Sequence, residues 1–245
     1  MRVVAVIPAR WAATRLPGKP LAEIAGRAMI QHVWERVARC RSVDQVLVAT
    51  DDRRIEEAVL GFGGKVRMTS PEHRSGTDRV EEAVRGLDAD LVVNVQGDEP
   101  LIDPEAIAQA IAVLLAADDS VGVGTLAFPI ASSVDLADPN LVKVVVDGRG
   151  RALYFSRAPI PFHRASAGGL ARAGLHRGHV GIYAFRRAVL ERFVSLPPGV
   201  LEQAEGLEQL RLLEHGIGIA VGQTERRTVG VDTAEDLERV RTELG

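Results

Sequence analysis

The sequence is poor in cysteine and in aromatic residues, and each shortage narrows the possible classes of protein. Its 245 residues include one cysteine, Cys40, which cannot form an intramolecular disulfide, and this favours a reducing compartment. Aromatic residues make up only 4% of the chain, whereas hydrophobic residues as a whole make up 46%. We therefore expect a folded protein with an aliphatic core, and the composition excludes a disordered or collagen-like chain.

The sequence also lacks an excess of basic residues and a long apolar run. Lys and Arg number 30 against 33 Asp and Glu, for a net charge of −3, which argues against a non-specific nucleic-acid binder or a membrane-surface protein. The N-terminal apolar stretch ends at Pro8, and the longest one, at 106–117, is interrupted by Gln109. Neither stretch predicts a signal peptide or a membrane span, so we expect a cytosolic protein with no membrane partner.

Alternating strand and helix patterns predict an α/β fold. Helical periodicity beginning at Met29 and Thr77, with helix-start signals at 103–105 and 233–236, predicts helices. This alternation predicts a mostly parallel central sheet with helices on both faces. We expect one domain over residues 1–245, with an excursion at about 128–178 that forms a subunit contact. Aliphatic and β-branched runs predict strands at 3–7, 45–50, 91–95, 121–128, 142–146, 180–185 and 217–221.

Three cations, Arg10, Arg15 and Lys19, lie in the loop after the first predicted strand. Because they repel one another unless an anion lies among them, this loop predicts a polyphosphate site, with a solvated basic loop as the alternative. A Walker A loop is disfavoured, since Ala13 stands at its first glycine position and Pro20 replaces the Ser or Thr that holds Mg²⁺.

Residues 122–127 match the dinucleotide fingerprint G-x-G-x-x-A, but the match lacks its structural context. The fingerprint must open a helix, whereas here Phe128 and Pro129 follow. The stretch predicts a glycine-containing strand instead, and an NAD-dependent oxidoreductase loses most of its support.

Two carboxylates follow predicted strands. Asp98 comes after the strand at 91–95 and a turn at Gly97, and Asp232 follows the strand-like run at 228–231. Ligands of open parallel sheets bind at the carboxyl ends of the strands, and Mg²⁺ takes few protein oxygens when phosphate completes its shell. The pair therefore suits a magnesium–polyphosphate site, with a turn role for Asp98 and a helix cap at Asp232 as the alternatives.

Other polar residues indicate chemistry less specifically. The small-residue turn at 75–79 opens a helix whose N-terminus favours anions, and Arg79 on its first turn is expected to have a partner. His179, Tyr183 and the pair at 208–209 suit either a ligand pocket or an ordinary structural role. No structural zinc spacing and no Ser/His/Asp arrangement is found.

Together these motifs resemble the 3-deoxy-manno-octulosonate (KDO) cytidylyltransferase family, also called CMP-KDO synthetase, from Val4 to about Leu244. The resemblance implies a Rossmann-like nucleotide-diphospho-sugar transferase fold. It also implies the reaction of CTP with KDO to give CMP-KDO and diphosphate for lipopolysaccharide biosynthesis, with Mg²⁺ as cofactor, in a homodimer. The matching segments are 7–10, 14–21, 75–79, 95–100, 152–157, 179–183, 207–211 and 230–233.

The resemblance implies roles for individual residues. It implies catalysis by Arg10, Lys19, Asp98 and Asp232, the two aspartates being also the Mg²⁺ ligands. It implies nucleotide contacts for Pro8, Ala9, Arg10, Arg15, Lys19, Ser75, Gly76, Arg79, Gln96 and Asp98. It implies sugar contacts for Gln96, Arg157, His179, Tyr183, Glu208 and Gln209.

The sequence departs from the family pattern in two places. Residues 11–13 read Trp-Ala-Ala where aromatic-Ala-Ser is usual, and the loop at 164–178 is short and rich in Ala and Gly. Other functions stay open at this point: a cytidylyl- or uridylyltransferase for a sialic acid or a sugar 1-phosphate, an amino-substituted KDO as acceptor, or a non-catalytic nucleotide-binding regulator.

Overall fold

A computed structural model of the chain describes residues 1–12, 16–73, 75–164, 174–225 and 230–244. The chain divides into two units, the first comprising Met1–Ala108, Phe185–Val194 and Thr228–Gly245, and the second Gln109–Ala184 and Ser195–Arg227. The expectation of a single domain stays a prediction. Among the described residues, no helix is both long and apolar enough to span a membrane.

The described chain alternates between strands and helices, as the sequence pattern predicts. In order they are β1 (Val3–Ala9), β2 (Glu23–Ile24), β3 (Arg27–Ala28), α1 (Met29–Ala38), β4 (Gln45–Thr50), α2 (Arg53–Gly61), β5 (Val66–Met68), α3 (Gly76–Val84), β6 (Leu91–Asn94), α4 (Pro104–Ala116), β7 (Val121–Pro129), α5 (Ser133–Ala137), β8 (Lys143–Val146), β9 (Ala152–Ser156), β10 (Arg177–Arg186), α6 (Arg187–Ser195), α7 (Val200–Glu205), α8 (Gln209–Glu214), β11 (Gly218–Gln223) and α9 (Ala234–Leu244).

The first unit is built on a parallel sheet with strand order β6-β1-β4-β5. Its central strands are continuous aliphatic runs, and all four residues of β6 are buried, as expected for strands covered on both faces. Helices α1, α2 and α3 pack against this sheet. All four strands end at the same edge, which brings together the loops that follow β1, β4 and β6.

In the second unit β11 pairs with β7 in parallel, whereas β8 pairs antiparallel with both β9 and β10. The α/β class and the mostly parallel sheet are therefore confirmed, with an antiparallel part around β8. Helices α7 and α8 pack on each other, and α8 also contacts β9.

The main strands and helices were predictable, whereas the short ones were not. Strands β5 and β9, the β2–β3 hairpin and helices α2 and α5–α7 escaped prediction. The apolar periodicity that begins at Thr77 extends to Leu87, but the helix itself ends at Val84. In the strand-like run at 228–231, residues 228 and 229 lie outside the described residues, and Gly230 and Val231 are not in a strand.

The stretch at 122–127 lies in strand β7, as predicted, and its Gly124 serves packing. A Cβ at Gly124 in β7 would lie 2.5 Å from the carbonyl oxygen of Ala110 and 2.8 Å from Cβ of Leu114, both in α4. Such distances require the helix to move. The glycine thus permits close contact between strand and helix, in place of the pyrophosphate contact that the fingerprint suggests.

We expect Gly124→Ala to lower the free energy of unfolding by about 1–3 kcal/mol, because the added methyl overpacks the contact with α4. Urea unfolding measures this loss. Gly148→Ala is the matched control, since a Cβ there meets nothing within 4 Å and its φ is not positive. Equal stabilities of the two variants would contradict the packing role of Gly124.

Candidate active site

A cavity of about 240 Å³ lies where β1 and β6 end. The two strands run side by side, with Val6 opposite Asn94, so the segments that follow them meet at this edge. The lining contains every predicted nucleotide-binding residue except Arg15, Ser75 and Arg79. The lining residues are Pro8, Ala9, Arg10, Ala12, Lys19, Pro20, Gly76, Gln96, Gly97 and Asp98.

The ammonium of Lys19 lies between two carboxylates. Its Nζ donates to Oδ2 of Asp98 at 2.6 Å and to Oδ1 of Asp232 at 3.2 Å. Both oxygens thus lie within 3.2 Å of one nitrogen, although 134 positions, from 98 to 232, separate the two aspartates in the sequence. The backbone holds the same segments together, since the amide of Val231 donates to the carbonyl of Asp98 at 2.8 Å.

The alternative roles for the two aspartates do not account for this geometry. Helix α9 is capped by Thr233 and Asp236, since the Thr233 hydroxyl accepts from the Asp236 amide at 3.2 Å and the Asp236 carboxylate accepts from the Thr233 amide at 3.0 Å. The Asp232 carboxylate, which is half-exposed, is instead directed to Lys19. Asp98 is likewise more than a turn residue, because its carboxylate makes the shorter of the two bonds to Lys19.

The turn at Gly97 brings the backbone after β6 close to β1. A Cβ at this position would lie 2.7 Å from the carbonyl oxygen of Pro8, so only glycine fits without a backbone shift. This close approach places Asp98 beside the first loop.

Across the described part of the chain no residue forms an ion pair with Arg10, so its guanidinium is available to an anion in the cavity.

The N-terminus of α3 contributes Gly76 to the cavity, while its neighbours have structural partners. Ser75 forms a capping box with Asp78, its hydroxyl accepting from the Asp78 amide at 3.1 Å. Arg79 is fully buried, and its guanidinium donates to Asp51 at 2.7 Å and to the hydroxyl of Thr69. The partner expected for this arginine is therefore Asp51, and Arg79 ties α3 to the ends of β4 and β5.

The predicted sugar-binding residues, Gln96 apart, lie in the second unit, where two of them meet. The rings of His179 and Tyr183 are 5.3 Å apart between centroids. Gln209 is buried at the start of α8, with Glu208 directly before it. Arg157 donates from its guanidinium to the carbonyl oxygens of Glu205 at 2.7 Å and Pro139 at 3.0 Å.

His179 is held in one tautomer. The hydroxyl of Thr125 donates its hydrogen to the carbonyl of Ile182 at 2.7 Å, so it accepts from Nε2 of His179 at 2.9 Å. The ring therefore carries its proton on Nε2 and presents Nδ1 as an acceptor. Burial lowers the pKa of His179 from 6.5 to about 3, which keeps the imidazole neutral near pH 7.

Some predicted positions fall outside the described residues. Arg15, the third cation of the first loop, is one of them, as are residues 165–173 of the loop at 164–178. The structural assignment of the site therefore rests on Arg10, Lys19, Asp98 and Asp232.

The sequence profile of the cytidylyltransferase family matches residues 4–221. A 3-deoxy-manno-octulosonate cytidylyltransferase from Geobacter sulfurreducens is 52% identical, over all of this chain and all of that protein. The enzyme of the same name from Syntrophobacter fumaroxidans is 53% identical over 98% of this chain and 96% of its own length. The chain belongs to the 3-deoxy-manno-octulosonate cytidylyltransferase family.

Solved structures agree with this family. A CMP:2-keto-3-deoxy-manno-octonic acid synthetase complexed with CTP superposes with a TM-score of 0.91 at 47% identity, covering 99% of this chain and 98% of that one. A cytidylyltransferase from Leptospira borgpetersenii shares the fold, with a TM-score of 0.64 at 19% identity. The match covers 99% of this chain and 86% of that one. The Rossmann-like nucleotidyltransferase fold implied by the family resemblance is therefore confirmed.

The structure reveals a buried lysine that the sequence did not single out. Lys143 in β8 is fully buried, and its ammonium donates to the carbonyl oxygens of Asp138, Leu141 and Arg157. Burial lowers its pKa. The Glu205 carboxylate accepts from the amide of Arg157 at 2.9 Å. Lys143 and Glu205 therefore hold the carbonyl and the amide of Arg157, a predicted sugar-binding residue. A lone lysine in a strand gives no sequence signal for such a role.

The depressed pKa of His179 predicts an acid-dependent loss of stability. The unfolded chain binds a proton at this residue once the pH falls below about 6.5, whereas the folded chain does so only near pH 3. Stability is therefore lost as the pH falls through this window, by about 2 kcal/mol between pH 7 and pH 5 from this group.

Urea unfolding of the unsubstituted protein and of His179→Gln at both pH values measures the effect. The glutamine keeps a donor for Thr125 but does not titrate, so we expect its stability to fall less between pH 7 and pH 5. An equal decrease in the two proteins would show that His179 does not titrate in this way.

Proposed function

We propose that this chain transfers CMP from CTP to KDO, giving CMP-KDO and diphosphate as an activation step in lipopolysaccharide biosynthesis. A bond forms between the anomeric oxygen of the sugar and the α-phosphorus of CTP, and the bond from that phosphorus to its bridging oxygen breaks. Diphosphate leaves, and the hydroxyl proton passes to solvent. The observation that carries the proposal is the Lys19 ammonium between Asp98 and Asp232 at a cavity lined by Arg10.

The cations of the first loop suit the triphosphate. Arg10 lines the cavity, and Lys19 reaches it from the other end of the loop with a side chain that is only 15% exposed. Charges in such partly enclosed sites are weakly screened, so both residues stabilise the negative charge that develops on the departing diphosphate. Gly76 at the N-terminus of α3 lets a nucleotide approach the backbone closely.

The two carboxylates suit a divalent cation shared with the triphosphate. No group of three or more potential protein ligands occurs among the described residues, so a closed protein cage is absent there. Mg²⁺ is commonly held by one or two carboxylates with phosphate and water completing its shell, and Asp98 with Asp232 fits this donor set. When bound, Mg²⁺ neutralises phosphate charge and lowers the pKa of a coordinated hydroxyl. Lys19 balances the charge of the two aspartates beside it.

We assign sugar contacts to His179, Tyr183, Glu208, Gln209 and Arg157, which all lie in the second unit. Neutral His179 supplies a hydrogen-bond acceptor at Nδ1 and cannot itself pair with the sugar carboxylate as a cation at neutral pH. Tyr183 beside it offers a hydroxyl and an aromatic face. Glu208 and Gln209 offer further groups for sugar hydroxyls, and Arg157 supplies positive charge for the carboxylate.

A homodimer through the excursion at about 128–178 is part of the proposal. The described residues of that segment include three exposed large apolar side chains, Val134 at 79%, Leu153 at 62% and Phe162 at 81%. Exposed apolar groups of this size favour burial against a partner. The cytoplasmic location stays a prediction.

A diphosphate-release assay tests the reaction. We expect release from CTP with Mg²⁺ and KDO together, and none when any of the three is omitted. Release with a sialic acid or a sugar 1-phosphate in place of KDO would identify another cytidylyltransferase. CTP binding without diphosphate release for any acceptor would indicate a nucleotide-binding regulator.

We expect Asp98→Asn to lower kcat about 100-fold, because a neutral amide would hold a divalent cation at the site more weakly than the carboxylate. Steady-state diphosphate release measures the change. Asp119→Asn is the control, since it removes the same charge from an exposed position in the turn before β7. Near-normal turnover of a folded Asp98→Asn protein would remove Asp98 from the mechanism.

A further inference from the structure

The end of β4 leaves the sheet beside the first loop. Strands β1 and β4 are in parallel register with Ala9 opposite Thr50, so Arg10 and Trp11 emerge next to Asp51 and Asp52. Asp52 then caps α2, accepting from the Arg54 amide at 2.9 Å. The register therefore brings the first turn of α2 against the loop that carries the phosphate-binding cations.

A side chain from the first turn of α2 contacts the loop that follows β1. The guanidinium carbon of Arg54 lies 3.3 Å from the centroid of the Trp11 ring, which is the geometry of a cation–π stack. Asp52 holds the guanidinium in place through two bonds, from Nε at 2.9 Å and from the terminal nitrogen at 2.6 Å. Because this bidentate pairing fixes the plane of the guanidinium, Arg54 offers Trp11 a rigid surface.

The same tryptophan also holds the far end of the loop. Its carbonyl accepts from the amide of Gly18 at 3.0 Å. Gly18 has a φ of +70°, and a Cβ there would lie 2.9 Å from Cη2 of Trp11, so the ring packs directly against its backbone. Trp11 thus joins the first and last parts of the loop.

Trp11 does not line the cavity, but its neighbours do. Arg10 and Ala12 on either side of it are lining residues, as is Lys19, which follows Gly18. A shift of the Trp11 ring therefore moves both cations without touching a ligand. Arg54 is not among the residues assigned to the nucleotide, the sugar or the metal, so those assignments do not explain its stacking on Trp11.

We propose that Arg54 is a positioning residue: held by Asp52, it stacks on Trp11 and fixes the phosphate loop so that Arg10 and Lys19 converge on the triphosphate. This inference rests on the proposed function, since it assumes that the cavity binds CTP. Arg54 is not a lining residue of the cavity, so we expect its loss to weaken nucleotide binding and to leave the chemical step largely intact.

The contact itself is tested in a Trp34→Phe background, in which Trp11 is the only tryptophan of the chain. We expect Arg54→Ala to make Trp11 fluorescence more accessible to acrylamide quenching. Arg53→Ala is the matched control: it removes the same charge from the same helical turn, and Arg53 is exposed and makes no ring contact with the described residues. Unchanged quenching in Arg54→Ala would overturn the contact.

The positioning role is tested by titration with Mg²⁺–CTP and by steady-state kinetics. We expect Arg54→Ala to raise the Kd and KM for CTP about two- to fivefold, with kcat within about twofold of the unsubstituted protein. Arg54→Lys, which retains a cation, is expected to restore part of the affinity, and Arg53→Ala to retain all of it. Equal weakening by Arg54→Ala and Arg53→Ala would overturn the proposal in favour of a general charge effect.

A double-mutant cycle separates stacking from other effects of Arg54. In a Trp11→Leu background, Arg54→Ala is expected to cause no further loss of CTP affinity, and an undiminished loss would overturn the role of the stack. The two proposals fail in different ways. CTP binding without diphosphate release contradicts the transfer reaction but leaves the affinity test of Arg54 intact, whereas normal release with unchanged Arg54→Ala affinity contradicts only the positioning role.

Discussion

The site depends on one ammonium group held between two carboxylates. Lys19 comes from the loop after β1, Asp98 from the turn after β6, and Asp232 from the segment before α9. Two carboxylates this close repel each other unless a cation lies between them, so their placement prepares a position for positive charge. The same pairing holds Lys19 at the lining of the cavity, to which Arg10 also contributes, and the proposed function places a triphosphate against both cations.

Backbone geometry makes this convergence possible. Parallel pairing of β1 with β4 and β6 puts three loops at one edge, Gly97 lets the segment after β6 approach Pro8, and the amide of Val231 bonds to the carbonyl of Asp98. Each of these is a main-chain constraint, which positions the charged side chains before a ligand binds. Two side-chain contacts also lie at this edge: the ion pair of Arg79 with Asp51, and the stacking of Arg54 on Trp11.

The second unit shows how a misleading motif serves another purpose. The glycines at 122–127 match a dinucleotide fingerprint, yet Gly124 packs β7 against α4. Thr125, the next residue of the strand, holds His179 in a single tautomer. Burial then keeps that histidine neutral. A stretch that resembles a cofactor motif in the sequence thus orients a predicted sugar-binding residue.

Periodicity and motif spacing by themselves determined the α/β class and the principal strands, because buried parallel strands are continuous aliphatic runs. They also pointed to the cationic first loop and to Asp98 and Asp232 as candidates, because ligands gather at the carboxyl ends of such strands. Only the tertiary structure decided which neighbours each side chain has. Arg79 looked like a nucleotide ligand and is enclosed by Asp51 and Thr69, Lys143 looked ordinary and is buried among carbonyls, and Arg54 carried no signal before α2 placed it on Trp11. Local sequence specifies how a segment folds, whereas contacts between residues far apart in the chain depend on strand order and register, which no single segment encodes.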